Sequence, residues 1–390
     1  MLFSFLTFTA GTIFSLVFNL YMSALGFRND VIGIFNALPA VGLIAVGLPV
    51  AALADRIGYR VFVLGSSGVA TLAAIVLASC GARLAAVLAA GTFALGLTVL
   101  QLLGVPLLAQ LSSPSERVLL FSVNEALAWA GTLLGNLIGG ALPEAAARVT
   151  HEPAASTSSL RAAFVATAAL LLIALPIGVR LSAAGGLRPS EVFPLRDMVR
   201  VDLGRFARLL GPQLLLGLAA GMLLNFIQLF LAQRFHLGPG PIGLVLAGVA
   251  ALTAATSLIA PAVSRLLGLP RAIGIAQVLG FPLVLGLAFA MNLPLAVAIL
   301  ALRQVILNLQ SPLVLAFGMS YVEARQRARL AIAQEVAFGI GFGGIGPLLS
   351  GVLQVRGGYQ LAFSVSAAFY LLAGLSFLAI FGRAQPARRA

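Results

Sequence analysis

Charged side chains are absent from residues 1–27, 31–54 and 61–82, and the polar residues between such runs gather into short turn-forming breaks. Each run is as long as or longer than the roughly 20 residues a helix needs to cross a bilayer. Backbone groups in hydrocarbon must bond to one another, so a spanning segment is either a helix or a strand of a closed barrel. Unbroken apolar runs lack the alternation of a barrel strand. The pattern predicts an all-α membrane protein with spans at 3–25, 31–53, 61–80, 84–111, 118–142 and 161–181, then at 209–233, 241–264, 272–291, 294–320, 329–353 and 359–382. The weakest division separates spans nine and ten, where residues 272–302 carry no charge and Met291-Asn292-Leu293-Pro294 alone marks a turn.

Composition agrees with the pattern: 61% of the 390 residues are hydrophobic, 9% are charged, and the mean hydropathy is +1.08. A chain with a water-facing surface does not carry those values. Cys80 is the single cysteine and His151 and His236 fall in predicted loops, so neither a disulfide framework nor a metal site is expected. The N-terminal run lacks the basic leader and short apolar stretch of a signal peptide and reads as the first span. It begins almost at Met1, which points to a start site set slightly too far downstream. Residues 182–208 form the longest charged and turn-rich stretch and read as a cytoplasmic linker between six-helix bundles at 1–181 and 209–390, the second ending in a short basic tail.

All 24 basic residues are arginine, and their placement sets an orientation. With both termini cytoplasmic, inside segments hold 17, outside segments hold 6, and Arg303 lies within a span. Positive charge concentrates on the cytoplasmic side of membrane proteins, so this bias favours that topology. The net charge of +13 is spread over membrane-edge loops, which fits contact with anionic lipid headgroups better than nucleic-acid binding.

The halves repeat one another. Arg117 is followed by Asn124-Glu125 and the glycine row Gly131, Gly135, Gly139, Gly140; Arg327 is followed by Gln334-Glu335 and Gly341, Gly343, Gly344, Gly346, Gly351. Internal repeats across a long loop characterise many secondary transporters. Residues 51–60, Ala-Ala-Leu-Ala-Asp-Arg-Ile-Gly-Tyr-Arg, resemble the loop pattern G-x-L-A-D-R-x-G-R-R between helices two and three of the major facilitator superfamily, with Ala51 in place of the leading glycine. The second-half loop, 263–271, keeps Gly268 but has Arg265 where the acid would stand. Gly131, Gly135, Asn136, Gly139 and Gly140 resemble the helix-five motif G-x-x-x-G-P-x-x-G-G of that family's drug/proton antiporter branch, with Asn136 in the proline's place. The plainer reading of these rows is close helix packing.

Glu125 and Glu335 are the two acids within predicted spans, each on the order of 10 Å from the cytoplasmic boundary by helical rise. An intramembrane charge requires a partner. The resemblance sets span two beside eleven and five beside eight, so Glu335 is expected to pair with Arg56 or Arg60, and Glu125 with Arg265 or Arg271. Together with Asp55 these pairs would latch the inward gate. The competing reading is that Glu125, buried, carries protons. Arg303 lies roughly 14 Å deep in span ten, close to the midplane, with Gln304, Asn308 and Ser311 following on one face. Asn19 on span one, Gln101 on span four, Asn225 and Gln228 on span seven and Asn136 on span five add further polar groups. The family implied by the resemblance lines its solute cavity with spans one, four, seven and ten. Arg303 without a midplane carboxylate to neutralise it then favours a solute with a carboxylate, phosphate or other acceptor, or else an internal arginine–carbonyl network.

Three functions follow from these residues: a secondary transporter exporting or exchanging a small organic solute, a facilitator or proton-coupled importer of a polar or anionic metabolite such as a sugar or carboxylate, and a transport-inactive receptor or scaffold. The last would need a soluble signalling domain or large loop. No nucleotide-cradling G-x-x-x-x-G-K-[ST] loop is present, which excludes an ATP-driven pump, and no nucleophile, acid/base or metal constellation marks an enzyme. The expected state is a monomer in the cell membrane, of bacterial inner-membrane type, with a small-molecule solute and lipids as partners and no cofactor, proton coupling being left open.

Overall fold

A computed structural model of the chain describes residues 1–47, 49–50, 53, 58–110, 116–184, 203–256, 268–322 and 327–382. Every regular element among them is helical. The first part holds α1 (Leu2–Ala24), α2 (Asn29–Gly42), α3 (Tyr59–Ser79), α4 (Arg83–Gln110), α5 (Arg117–Thr150) and α6 (Thr157–Ala184). The second holds α7 (Leu203–Leu224), α8 (Ile227–Phe235), α9 (Pro239–Thr256), α10 (Leu269–Ala288), α11 (Leu293–Tyr321), α12 (Arg327–Gly339) and α13 (Gly346–Phe381). Nine helical stretches among the described residues are long and apolar enough to cross a bilayer.

The boundary between spans nine and ten is real: α10 ends at Ala288 and α11 begins at Leu293, where Asn292 Oδ1 accepts from Leu295 N (3.0 Å) as an N-cap and Pro294 follows. α5 runs two turns beyond its expected end because Ala145, Ala146 and Ala147 sustain the helix past Pro143. Two π-helical turns interrupt the apolar runs, at Leu43–Gly47 and Ile340–Ile345. Both precede a proline, Pro49 and Pro347, whose missing N–H and ring cannot accommodate the carbonyl four residues back, so the chain widens there. The 36 residues of α13 would rise about 54 Å, nearly twice a bilayer core. It leaves helical geometry at Gly357 (φ −144°, ψ 21°) and Gly358 (φ 67°, ψ −170°).

The helices group into two compact units, the described residues of Met1–Val192 with Ile227–Ala251 and those of Phe193–Phe226 with Leu252–Ala390. This grouping differs from the expected division at 182–208, because α8 and the first part of α9 fall in with the first six helices. The first unit is cored by Phe3, Leu6, Val63, Val99 and Leu103, the second by Phe206, Ile273, Phe317, Phe377 and Phe381. Large apolar side chains also stand outward, Leu72 and Leu244 at 65% and Leu84 at 70% exposure. Such outward hydrophobicity suits a lipid solvent.

Within each unit the glycine rows are packing seams. A Cβ on Gly131 would lie 3.1 Å from Phe5 O, on Gly135 2.8 Å from Thr9 O and on Gly139 3.3 Å from Ile13 Cα, so α5 runs parallel to α1 along their backbones. In the second unit a Cβ on Gly217 would lie 3.1 Å from Phe338 Cα and on Gly221 2.7 Å from Phe342 Cα, giving α7 the same parallel seam with α12 and its π turn. The turns that open α3 and α10 match too: Gly58 (φ 103°) and Gly268 (φ 74°) both take positive φ, which disfavours any side chain. The glycine persists in the second loop, although the acid beside it does not, because the backbone turn still requires it.

Candidate functional site

Between Phe8 and Met22, α1 is buried on all sides but one. Phe8, Gly11 and Thr12 are half-buried and Ser15 is exposed, a row at helical spacing that opens along an otherwise packed helix. The row closes at Asn19, which is buried, and one turn on Ser23 Oγ accepts from Gln233 Nε2 of α8 (3.4 Å). On α4, Gln101 is exposed, whereas Thr98 turns its hydroxyl to Ala94 O of its own helix (2.8 Å). Gln228, in the first turn of α8, is buried with Oε1 unbonded.

α5 meets α9 as closely as it meets α1. A Cβ on Gly140 would lie 2.7 Å from Pro239 O, one on Gly243 would lie 3.0 Å from Gly140 Cα and collide with Asn136 O, and Asn136 itself is buried. Glu144 Oε1 accepts from Gly240 N (3.1 Å), which puts a carboxylate on an unpaired amide of the first turn of α9. Glu144→Ala is expected to cost about 1 kcal/mol of local stability, the usual worth of a helix cap. Hydrogen exchange at the amides of Gly240, Ile242 and Gly243 reads this directly, and unchanged protection would show that the cap carries no weight.

In the second unit the break between α7 and α8 is held by Asn225, whose Nδ2 donates to Gly221 O (2.9 Å) and Phe342 O (2.8 Å). On α11, Arg303 lies on the buried stripe with Leu300, Leu307 and Gln310, at 2% exposure. Its Nη1 donates to Gln304 Oε1 (2.8 Å), its Nη2 to the Tyr370 hydroxyl, and its Cζ lies 5.4 Å from the centre of the Tyr370 ring. Nε has no acceptor. Gln304 and Asn308, one turn apart, are half-exposed on the adjoining face. Arg303 thus points into its own bundle, and the open face belongs to the two amides beside it. Sequence reasoning missed Tyr370. Its signal was a phenol in the middle of the final span, the kind of amphipathic tip that takes a hydrogen-bond partner when buried.

Of the gate residues, Asp55, Arg56 and Arg265 lie outside the described residues. Arg60, Arg271, Glu125 and Glu335 are exposed, so the burial on which proton carriage by Glu125 depended is not found; each acid stands on the open side of its helix. Among the described residues the one ion pair is Arg28–Asp30 (3.4 Å).

The sequence profile of the Major Facilitator Superfamily matches residues 1–198 and 209–390. The chain belongs to that superfamily. It is a multi-pass membrane protein and a secondary transporter of small solutes, not an enzyme. No curated protein matches the sequence significantly. Among solved structures, this superfamily member is similar to a bacterial homologue of the iron transporter ferroportin in an inward-facing state (TM-score 0.79, 17% identity, 98% of this chain and 97% of that one). It is also similar to a bacterial homologue of the human lysosomal transporter Spinster, inward-facing and unoccupied (0.76, 16%, 97% and 96%), and to a nucleoside transporter (0.73, 15%, 97% and 97%).

Proposed function

We propose that the protein exports or exchanges a small organic solute by alternating access, as a monomer of twelve spans with both termini cytoplasmic, in a cell membrane of bacterial inner-membrane type. The observation that carries the reading is the open polar row. A helix as closely packed as α1 leaves Ser15 exposed and Thr12 half-covered, and α11 likewise leaves Gln304 and Asn308 half-open. Polar groups in a lipid-embedded bundle are expensive unless they face water or a solute. The parallel seams support the alternation of spans, since α5 follows α1 by four crossings, as α12 follows α7. The arginine bias supports the orientation, and arginines at the membrane edges suit anionic headgroups. Export or exchange is favoured by the glycine pattern of α5.

Solute counterflow in proteoliposomes, run against metabolite and drug panels with and without a pH gradient, tests this. Counterflow of at least one solute is expected, and none for any solute would sink the proposal. A second reading, uptake of a polar or anionic metabolite, is favoured by the amides around Arg303. It predicts gradient-driven accumulation in the inward direction.

The inward latch is proposed on the pairs Glu125 with Arg265 or Arg271 and Glu335 with Arg56 or Arg60, Asp55 supporting the first-half loop. Exposed charges at a membrane edge pair weakly unless water is excluded, so the latch would tighten when that side closes. Glu125→Arg and Arg265→Glu are each expected to lose transport, and the double exchange to restore a substantial part of it. Failure of rescue in every such pair would sink the latch.

A further inference from the structure

We propose that Tyr370 is a placeholder for an anionic group of the solute, and that Arg303 is the residue that exchanges one for the other. The inference rests on the transporter reading above and adds a substrate class to it. A guanidinium keeps its charge at any cellular pH, and a buried charge is costly unless an opposite charge or a full set of acceptors meets it. Arg303 has neither. Its acceptors are a neutral phenol and a neutral amide, Nε has none, and no carboxylate among the described residues lies in ion-pair range. Among the described residues of that unit the one acid is Glu335, exposed on α12.

The geometry says which partner moves. The Tyr370 ring is seated against Gly280 of α10, where a Cβ would lie 2.9 Å from ring Cδ1, and its residue is fully buried, so the ring is fixed. The guanidinium hangs on a long flexible side chain and is already hydrogen-bonded to Gln304, which is half-exposed on the same face as Asn308. It stands one hydrogen bond from the open side. Swinging there, it would take a carboxylate or phosphate in paired hydrogen bonds, gaining the counter-charge it lacks. A neutral solute offers no such gain and leaves Arg303 on the ring, where the phenol and its π face hold it. Tyr370 therefore sets a threshold that anions pass and neutral molecules do not.

Equilibrium binding of benzoate, its neutral analogue benzamide and inorganic phosphate to the purified full chain, to Tyr370→Phe and to Arg303→Gln tests this, alongside thermal melting. Removing the competing hydroxyl is expected to tighten benzoate or phosphate about tenfold, the equivalent of one charge-assisted hydrogen bond. Arg303→Gln is expected to lose anion binding, with benzamide unaffected by either change. Should Arg303→Gln not fold, Arg303→Lys replaces it and is expected to bind the anions more weakly than the unaltered protein. A Tyr370→Phe protein that melts lower but binds neither anion more tightly overturns the placeholder. If counterflow of neutral solutes persists in that case, the transporter reading stands; if the unaltered protein moves no solute, both fall.

Discussion

Gly221→Val is expected to lower the melting temperature of the purified protein steeply and to leave much of it aggregated on size exclusion. Even the first carbon of a side chain at Gly221 would lie 2.7 Å from Phe342 Cα and collide with Phe342 O. These are backbone atoms, so no rotamer change relieves them. α7 and the π turn after α12 would have to separate, which also strains the Asn225 bond to Phe342 O. Overpacking a core costs typically 1–3 kcal/mol. With a backbone on both sides of the clash we expect about 3 kcal/mol, or roughly two powers of ten in the folded fraction. Helices in lipid gain little from hydrophobic exclusion and hold together by close packing, so a lost seam has few substitutes. A melting curve matching the unaltered protein would show that the seam is looser than drawn.

Gly243→Val is expected to do the reverse, sparing the fold and stopping transport. Its Cβ would meet Asn136 O and lie 3.0 Å from Gly140 Cα, a contact as tight as that at Gly221. The partners differ in kind, however. On the proposed division of the chain α5 belongs to the first half and α9 to the second, and alternating access would require contacts of that kind to part and re-form. A seam that must open in each cycle has an open state already available to the protein. The valine would hold the protein in that state at small cost in stability, leaving melting within a few degrees while initial rates of counterflow fall more than tenfold. Undiminished counterflow would show that α5 and α9 need not close on one another.

Much of this was legible in sequence. The apolar runs located the helices because a bilayer tolerates nothing else of that length, and α1, α3, α4, α10 and α11 begin and end within a few residues of expectation. The glycine rows, read as packing, are seams along the backbone. What the runs did not announce are their interruptions. A proline near each π turn hints at a break but not at its form, and the break at Asn225-Phe226 is held by a donor–acceptor contact to the second π turn 117 residues away, which is a tertiary matter. The site was half legible. Depth and residue type marked Arg303, but the turn of its side chain toward Tyr370 is decided by a ring 67 residues away, and no spacing rule within α11 encodes that. Distance along the helix gave the depth of Glu125 and Glu335, but proton carriage by Glu125 also needed burial, and exposure depends on which face the helix turns outward. Asn19 shows the same limit in the other direction: it continues the row of Thr12 and Ser15, yet lies where that row has closed over.

The amide of Asn225 has a mechanical meaning. It sits where α7 loses its regular bonding, and it reaches across to the widened turn between α12 and α13, so that two departures from regular helix are pinned by one side chain. Two separate hinges would give the unit two independent ways to bend, each able to drift without the other. Tied at Phe342 O, they bend as one degree of freedom, and a displacement that begins on α7 arrives on α13 in the same stroke.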